Sequence, residues 1–258
     1  MTTKHSEHVM GTVFSIQVDD EGDWRAAIGQ VVAYLHEVDR TFSTYRPDSQ
    51  ISRLGRGEMR LRECVPAVGE VLALCAHVQA VSDGYFAASI GRRLDPSGLV
   101  KGWAIERASA LLSAAGASSH AVNGGGDMQL VGNLSDGRPW RVGIAHPLQP
   151  GALSTVVQAR DLAVATSGIA ERGCHIVDPR TGRAPSGLAS ITVAGASITL
   201  VDAYATAAYA MGLAARAWIE GLDGYEAFAV TENGEWWATD RFPFESRLAG
   251  AGAVAEES

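Results

Sequence analysis

Apolar positions recur along the chain with two different periods, and the switches between them mark out the elements. Phe14, Ile16 and Val18 alternate with smaller or polar residues, which predicts a strand over 9–18. Ile28, Val31, Val32, Leu35 and Val38 lie near helical spacing, which predicts a helix over 23–42 with Asp23 as N-cap. A turn at 44–48 contains Pro47, and Ser49 is placed to cap a short helix ending at Leu54. Pro66 sits near the first position of a helix over 66–82 that Asp83-Gly84 ends. Another helix is expected over 98–115, closed by Gly116. Strands are expected over 119–131, broken by Gly124-Gly125-Gly126, then over 140–145, 156–165 and 190–193, with a turn at Ser167-Gly168. An alanine-rich helix follows over 201–211, then a hairpin from 227–231 to 235–238 around Glu232-Asn233-Gly234. Strands and helices mix without a steady βαβ rhythm, which predicts an α+β fold rather than a doubly wound α/β sheet.

Composition narrows this picture. The 258 residues suffice for one large unit or two intimately packed lobes, and the hydrophobic share of 47% suits a well-buried core. One continuous unit over 1–248 is expected, with a frayed acidic tail over 249–258. A net charge of −8 disfavours a sequence-independent grip on nucleic-acid phosphates, while Lys101, Arg172, Arg180 and Arg183 could still line a local basic pocket. Cys64, Cys75 and Cys174 form no CxxC pair and no zinc-spaced cluster, which fits a reducing compartment. The polar first ten residues lack a signal-peptide core, and no run of about 18 apolar residues suggests a membrane span. A cytoplasmic location is the resulting expectation.

Four segments can carry chemistry, and each also has a plainer structural use. Asp95-Pro-Ser-Gly-Leu-Val-Lys101-Gly102 runs into a helix, where free N–H groups and the helix dipole favour an anion beside a lysine. The same residues also suit a capped helix start with a solvated lysine. Asn123-Gly124-Gly125-Gly126-Asp127 permits positive φ and close approach of backbone to a ligand, or simply a tight turn. His175 lies beside Asp178-Pro-Arg-Thr-Gly182 and near Arg172, placed either as a general base for a hydroxyl or as a structural histidine. Asp202 and Thr206 share a helix face at i, i+4 and offer two hard oxygens suited to Mg²⁺, or Asp202 caps its own helix.

Taken in order, the segments resemble the ApbE family, the FAD:protein FMN transferases. The matching pieces are Met10-Gly11-Thr12; Phe42-Ser43-Thr44-Tyr45 followed by Ser49 to Leu54; Asp83-Gly84-Tyr85-Phe86; and Asp95, Gly98 and Lys101-Gly102. They continue through Asn123 to Asp127, Trp140 to Ile144, Thr166-Ser167-Gly168, His175 to Gly182, and Asp202 with Thr206. The resemblance implies an FAD site between two lobes of one α+β unit. Met10, Tyr45, Tyr85, Phe86, Ala87, Asp95 and Lys101 match positions that contact the flavin nucleotide, and His175 matches the position proposed as base. Gly98, Asp202, Ala205 and Thr206 match the Mg²⁺ positions, Gly98 and Ala205 through backbone oxygens. The stretch before Asp95 is shorter than usual, Ala87 stands where an aspartate is common, and Ala205 stands where some members carry a second aspartate.

The resemblance further implies Mg²⁺-dependent cleavage of FAD, with FMN passing to a threonine or serine of a partner protein and AMP leaving. Hydrolysis of FAD to FMN and AMP, and flavin binding without catalysis, are the alternatives.

Overall fold

The computed structural model describes residues 2–91, 93–169 and 176–245. The chain opens with a hairpin. Strand β1 (Thr3–Val9) pairs antiparallel with β2 (Thr12–Val18) across a Met10-Gly11 turn. The sequence predicts only one strand here, because β1 reads Thr-Lys-His-Ser-Glu-His-Val and its outward positions carry no apolar alternation. Both turn residues take positive φ, 56° at Met10 and 72° at Gly11, as a two-residue hairpin turn requires.

Helix α1 (Arg25–Phe42) buries Ile28, Val31, Leu35 and Val38 on one face, as their spacing predicts. Asp23 is not its N-cap. Trp24 holds that position without a side-chain cap, while Asp23 accepts the Arg25 N–H at 3.1 Å in the turn before it. Helix α2 (Gln50–Gly55) does start as predicted: the Ser49 hydroxyl accepts the Ser52 N–H at 3.1 Å. Removing this buried cap by Ser49→Ala is expected to lower stability by about 1 kcal/mol, read as a lower urea midpoint at unchanged slope.

Helices α3 (Pro66–Val81) and α4 (Ser97–Ala114) also match their predicted spans within a residue or two. Between them the shortened stretch forms a small hairpin of β3 (Ser89–Ile90) and β4 (Arg93–Leu94). The triple glycine joins β5 (His120–Gly124) to β6 (Asp127–Val131), with Gly125 at φ 64° and Gly126 at φ 103°. Strand β7 (Trp140–Ala145) pairs with β8 (Leu153–Ala159) as a separate ribbon. The single strand expected over 156–165 is two strands, β8 and then β9 (Leu162–Gly168), because polar Arg160-Asp161 turns the chain. Ser167 and Gly168 end β9 instead of forming a turn. After β10 (Leu188–Gly195) come α5 (Ile198–Met211), α6 (Ala215–Glu220) and the predicted hairpin of β11 (Glu226–Thr231) and β12 (Trp236–Ala238). Helix α6 and the β3–β4 hairpin are too short to leave a periodic signal.

Eight strands join one sheet in the order β1-β2-β5-β6-β9-β10-β11-β12, every neighbouring pair antiparallel. An α+β architecture is therefore correct. Alternation along the strands gives the sheet two buried faces. On one, Ala163, Ala165, Ile191 and Val193 pack under α5, while α4 covers β5 and β6 beside it. On the other, Leu130, Val164, Phe228 and Val230 pack against Trp140, Val142, Ile144 and Val157 of the β7–β8 ribbon. The stretch Ile198–Glu220 is apolar and long enough to cross a membrane, but 72% of its most apolar window is buried inside the fold, so it serves as core.

Candidate active site

Helices α4 and α5 cross at Gly102. A Cβ at that position would lie 2.5 Å from the Ile198 carbonyl oxygen and 2.9 Å from the Asp202 Cβ, so only glycine permits the approach. The consequence is a hydrogen bond between helices: the Gly102 N–H donates to Asp202 Oδ2 at 2.9 Å. Asp202 lies within α5, not at its start, and it binds the backbone of α4; the alternative of a cap on its own helix is thereby overturned.

Lys101, the adjacent residue, is not a solvated lysine. Its ammonium pairs with Asp127 at the start of β6 and stands 3.7 Å from Asp202 Oδ1. Asp127 Oδ1 accepts the Thr166 N–H at 3.0 Å, which ties β6 to β9 below the lysine. The two carboxylates are almost sealed from solvent, while the lysine side chain remains 25% exposed. Burial drives the Asp202 carboxyl well above the usual carboxylate range. The Lys101 ammonium opposes that rise, the Asp127 carboxylate adds to it, and the Gly102 N–H opposes it again.

Above this group opens a cleft of about 930 Å³. Of the residues singled out from sequence, Met10, Tyr45, Tyr85, Phe86, Ala87, Asp95, Gly98, Lys101, Asp202 and Thr206 all line it. They arrive from the β1–β2 turn, the segment after α1, the segment after α3, the start of α4 and the middle of α5. Tyr45 is 91% exposed at the rim, whereas Phe86 is buried and packs close to Gly98, 3.2 Å from where a Cβ would stand there. Thr206 flanks the same glycine at 3.7 Å. Ala205 differs from the rest: it is buried in the core side of α5 and does not line the cleft. His175 lies outside the described residues.

The turn after His175 can be followed. Asp178 accepts the Arg180 N–H at 2.9 Å and the Thr181 hydroxyl at 3.0 Å, the local bonding expected of Asp-Pro-Arg-Thr-Gly. Ile176, Val177 and Pro179 face the cleft, and the Arg180 guanidinium lies 4.4 Å over the Tyr85 ring. That stacking fixes the turn to the Tyr85-Phe86 segment. Asp95 serves its capping alternative, accepting the Ser97 N–H at 3.1 Å, and still lines the cleft. The Asn123 side chain likewise accepts the Gly126 N–H at 3.1 Å, so the glycine segment is a tight turn, and Gly125 reaches the cleft wall.

The sequence places Thr12, Asp127 and Thr166 in matching segments without giving them a role at this site, and it does not single out Arg93. Asp127 closes the glycine motif and starts β6, where a turn alone would account for it. In β6 it shares the helix-facing side with Gln129, whose side-chain Oε1 accepts the Ile198 N–H at 3.2 Å. That period-two relation to a buried polar residue was the available signal.

Among the described residues no group of three or more His, Cys, Asp and Glu is arranged to hold a metal by itself. The oxygen donors of Asp202 and Thr206 still suit a hard divalent cation that takes further oxygens from backbone, water and a phosphate ligand.

The sequence model of the ApbE family matches residues 10–93 and 91–229. The chain belongs to the ApbE family. A relative within it, from Rhodobacter capsulatus and called FAD:protein FMN transferase, is 35% identical over 229 residues; the match takes in 85% of this chain and 41% of that protein. The chain therefore spans less than half the length of that curated relative. Among solved structures, the flavin transferase ApbE from Vibrio cholerae superposes with a TM-score of 0.85 at 23% identity, covering 95% of this chain and 99% of the other. The ApbE protein from Thermotoga maritima superposes with a TM-score of 0.85 at 19% identity, covering 95% and 100%. These likenesses establish that the ApbE fold extends over nearly the whole chain.

Proposed function

We propose that this protein is a Mg²⁺-dependent FAD:protein FMN transferase. The observation that carries the reading is the Lys101, Asp127 and Asp202 group at the floor of a cleft large enough for a nucleotide. Membership in the family, and a relative named for this reaction, support it.

FAD lies in the cleft with its flavin half against Met10, Tyr45 and the segment Tyr85 to Ala87, and Asp95 is available to bond the ring edge. Lys101 faces the diphosphate, where an ammonium offsets charge without needing a fixed geometry. Asp202 and Thr206, with the backbone oxygen of Gly98, would hold Mg²⁺, which would supply electrostatic stabilisation to the phosphates and the departing AMP; Ala205, on the core side of α5, falls outside this set. His175 accepts the proton of an acceptor threonine or serine hydroxyl. The freed oxygen attacks the phosphorus on the FMN side, the P–O bond to AMP breaks, and FMN remains as a phosphoester on the acceptor protein.

The test is to incubate the protein with FAD, Mg²⁺ and a candidate acceptor domain and to weigh the acceptor. An FMN-sized mass gain with release of AMP is the expected result. AMP without an adduct would instead identify a pyrophosphatase, and intact FAD would identify a binding protein.

A further inference from the structure

Asp127 takes no part in the reaction as just written, yet it is the most deeply buried carboxylate of the site, with a side chain only 1% exposed. A carboxylate taken out of water has to be compensated by hydrogen bonds or opposite charge. Here both are provided by residues of the cleft wall. The Thr166 N–H donates to Oδ1 at 3.0 Å, and the Lys101 ammonium pairs with Oδ2. The first partner is backbone of β9, so the carboxylate is fixed to the sheet. The second is the end of a flexible four-carbon chain that would otherwise spread over many rotamers.

We propose that Asp127 is a positioning residue that holds the Lys101 ammonium at the cleft floor for the diphosphate of the nucleotide. This rests on reading the cleft as an FAD site. Without Asp127, the Asp202 carboxylate 3.7 Å away would draw the ammonium onto the oxygen that the cation requires. Asp127 thus separates two positive charges that serve the same ligand.

The experiment uses the full chain as Asp127→Asn, Lys101→Met and the double variant, each first shown by thermal melting to be folded. Asparagine keeps the acceptor for the Thr166 N–H and removes only the charge. Asp127→Ser is a second neutral variant in case asparagine does not fold. In ligand-free protein, the rate at which acetic anhydride acylates Lys101, followed by peptide mass spectrometry, reports how firmly the ammonium is held. It is expected to rise about tenfold in the neutral variants, as the amine loses the anion that holds it. FAD affinity, from flavin fluorescence, is expected to fall about tenfold in Asp127→Asn and no further when the change is added to Lys101→Met, because both act through one group.

An unchanged acylation rate would overturn the proposal, as would losses of FAD affinity that add in the double variant. A purely structural role for Asp127 predicts that additivity. A parent protein that fails to bind FAD would sink the FAD reading alone, while the acylation rates still decide whether Asp127 holds the lysine.

Discussion

Asp202→Ala is expected to reduce FMN transfer by roughly 10²–10³, the usual cost of deleting one well-placed electrostatic group at a reaction centre. Helix α5 presents this carboxylate to the cleft one turn before Thr206, and no other acidic side chain of that helix does so. Its loss removes the anionic ligand of the cation and leaves the Gly102 N–H without its acceptor. The measurement is the rate of mass gain on the acceptor at saturating FAD across a Mg²⁺ titration. Weakened cation binding raises the Mg²⁺ concentration needed, and Asp202→Asn separates charge from hydrogen bonding because it can still accept from Gly102. Turnover like that of the parent in the alanine variant would refute the assignment of Asp202 to the metal.

Gly102→Ala is the second large effect, and it reaches the site through packing. The added methyl would meet the Ile198 carbonyl oxygen at 2.5 Å and Asp202 at 2.9 Å. Both atoms belong to a packed helix, so neither can swing aside as a flexible chain end would. Forcing α4 and α5 apart costs about 2–3 kcal/mol, typical of an overpacked core, or a fall in Tm of about 5–10 °C at this size. Calorimetry checks the stability, and the loss of transfer activity should persist well below the lowered melting point, because the crossing sets the spacing between Lys101 and Asp202. A variant as stable and active as the parent would show that the helices have slack at this crossing.

Much of this was readable from local chemistry. The longer helices announced themselves by period and by Pro66, Ser49 and Gly116 at their ends, and the hairpin at Glu232-Asn233-Gly234 by its turn residues. Strand β1 was not readable, since its outward side chains face water and its inward ones include no large apolar residue until Val9. The break between β8 and β9 was blurred by continuous apolar residues on both sides of Arg160-Asp161. Within the site, ten residues read from sequence line one cleft. What sequence could not supply was the pairing of charges. Lys101, Asp127 and Asp202 lie far apart in the chain, and each alone has an ordinary structural use as a surface lysine, a turn residue or a cap. Their meaning comes from the sheet register and from a glycine crossing, both of which are tertiary facts.

The cleft draws its walls from Met10 in the first hairpin to Thr206 late in the chain, and β2 finds its partner β5 only across about a hundred residues of intervening chain. No short fragment can therefore assemble it. Occupancy and folding are one linked equilibrium in such a molecule: a ligand that recognises only the closed walls stabilises every strand that closes them, by an amount set by its concentration relative to its Kd.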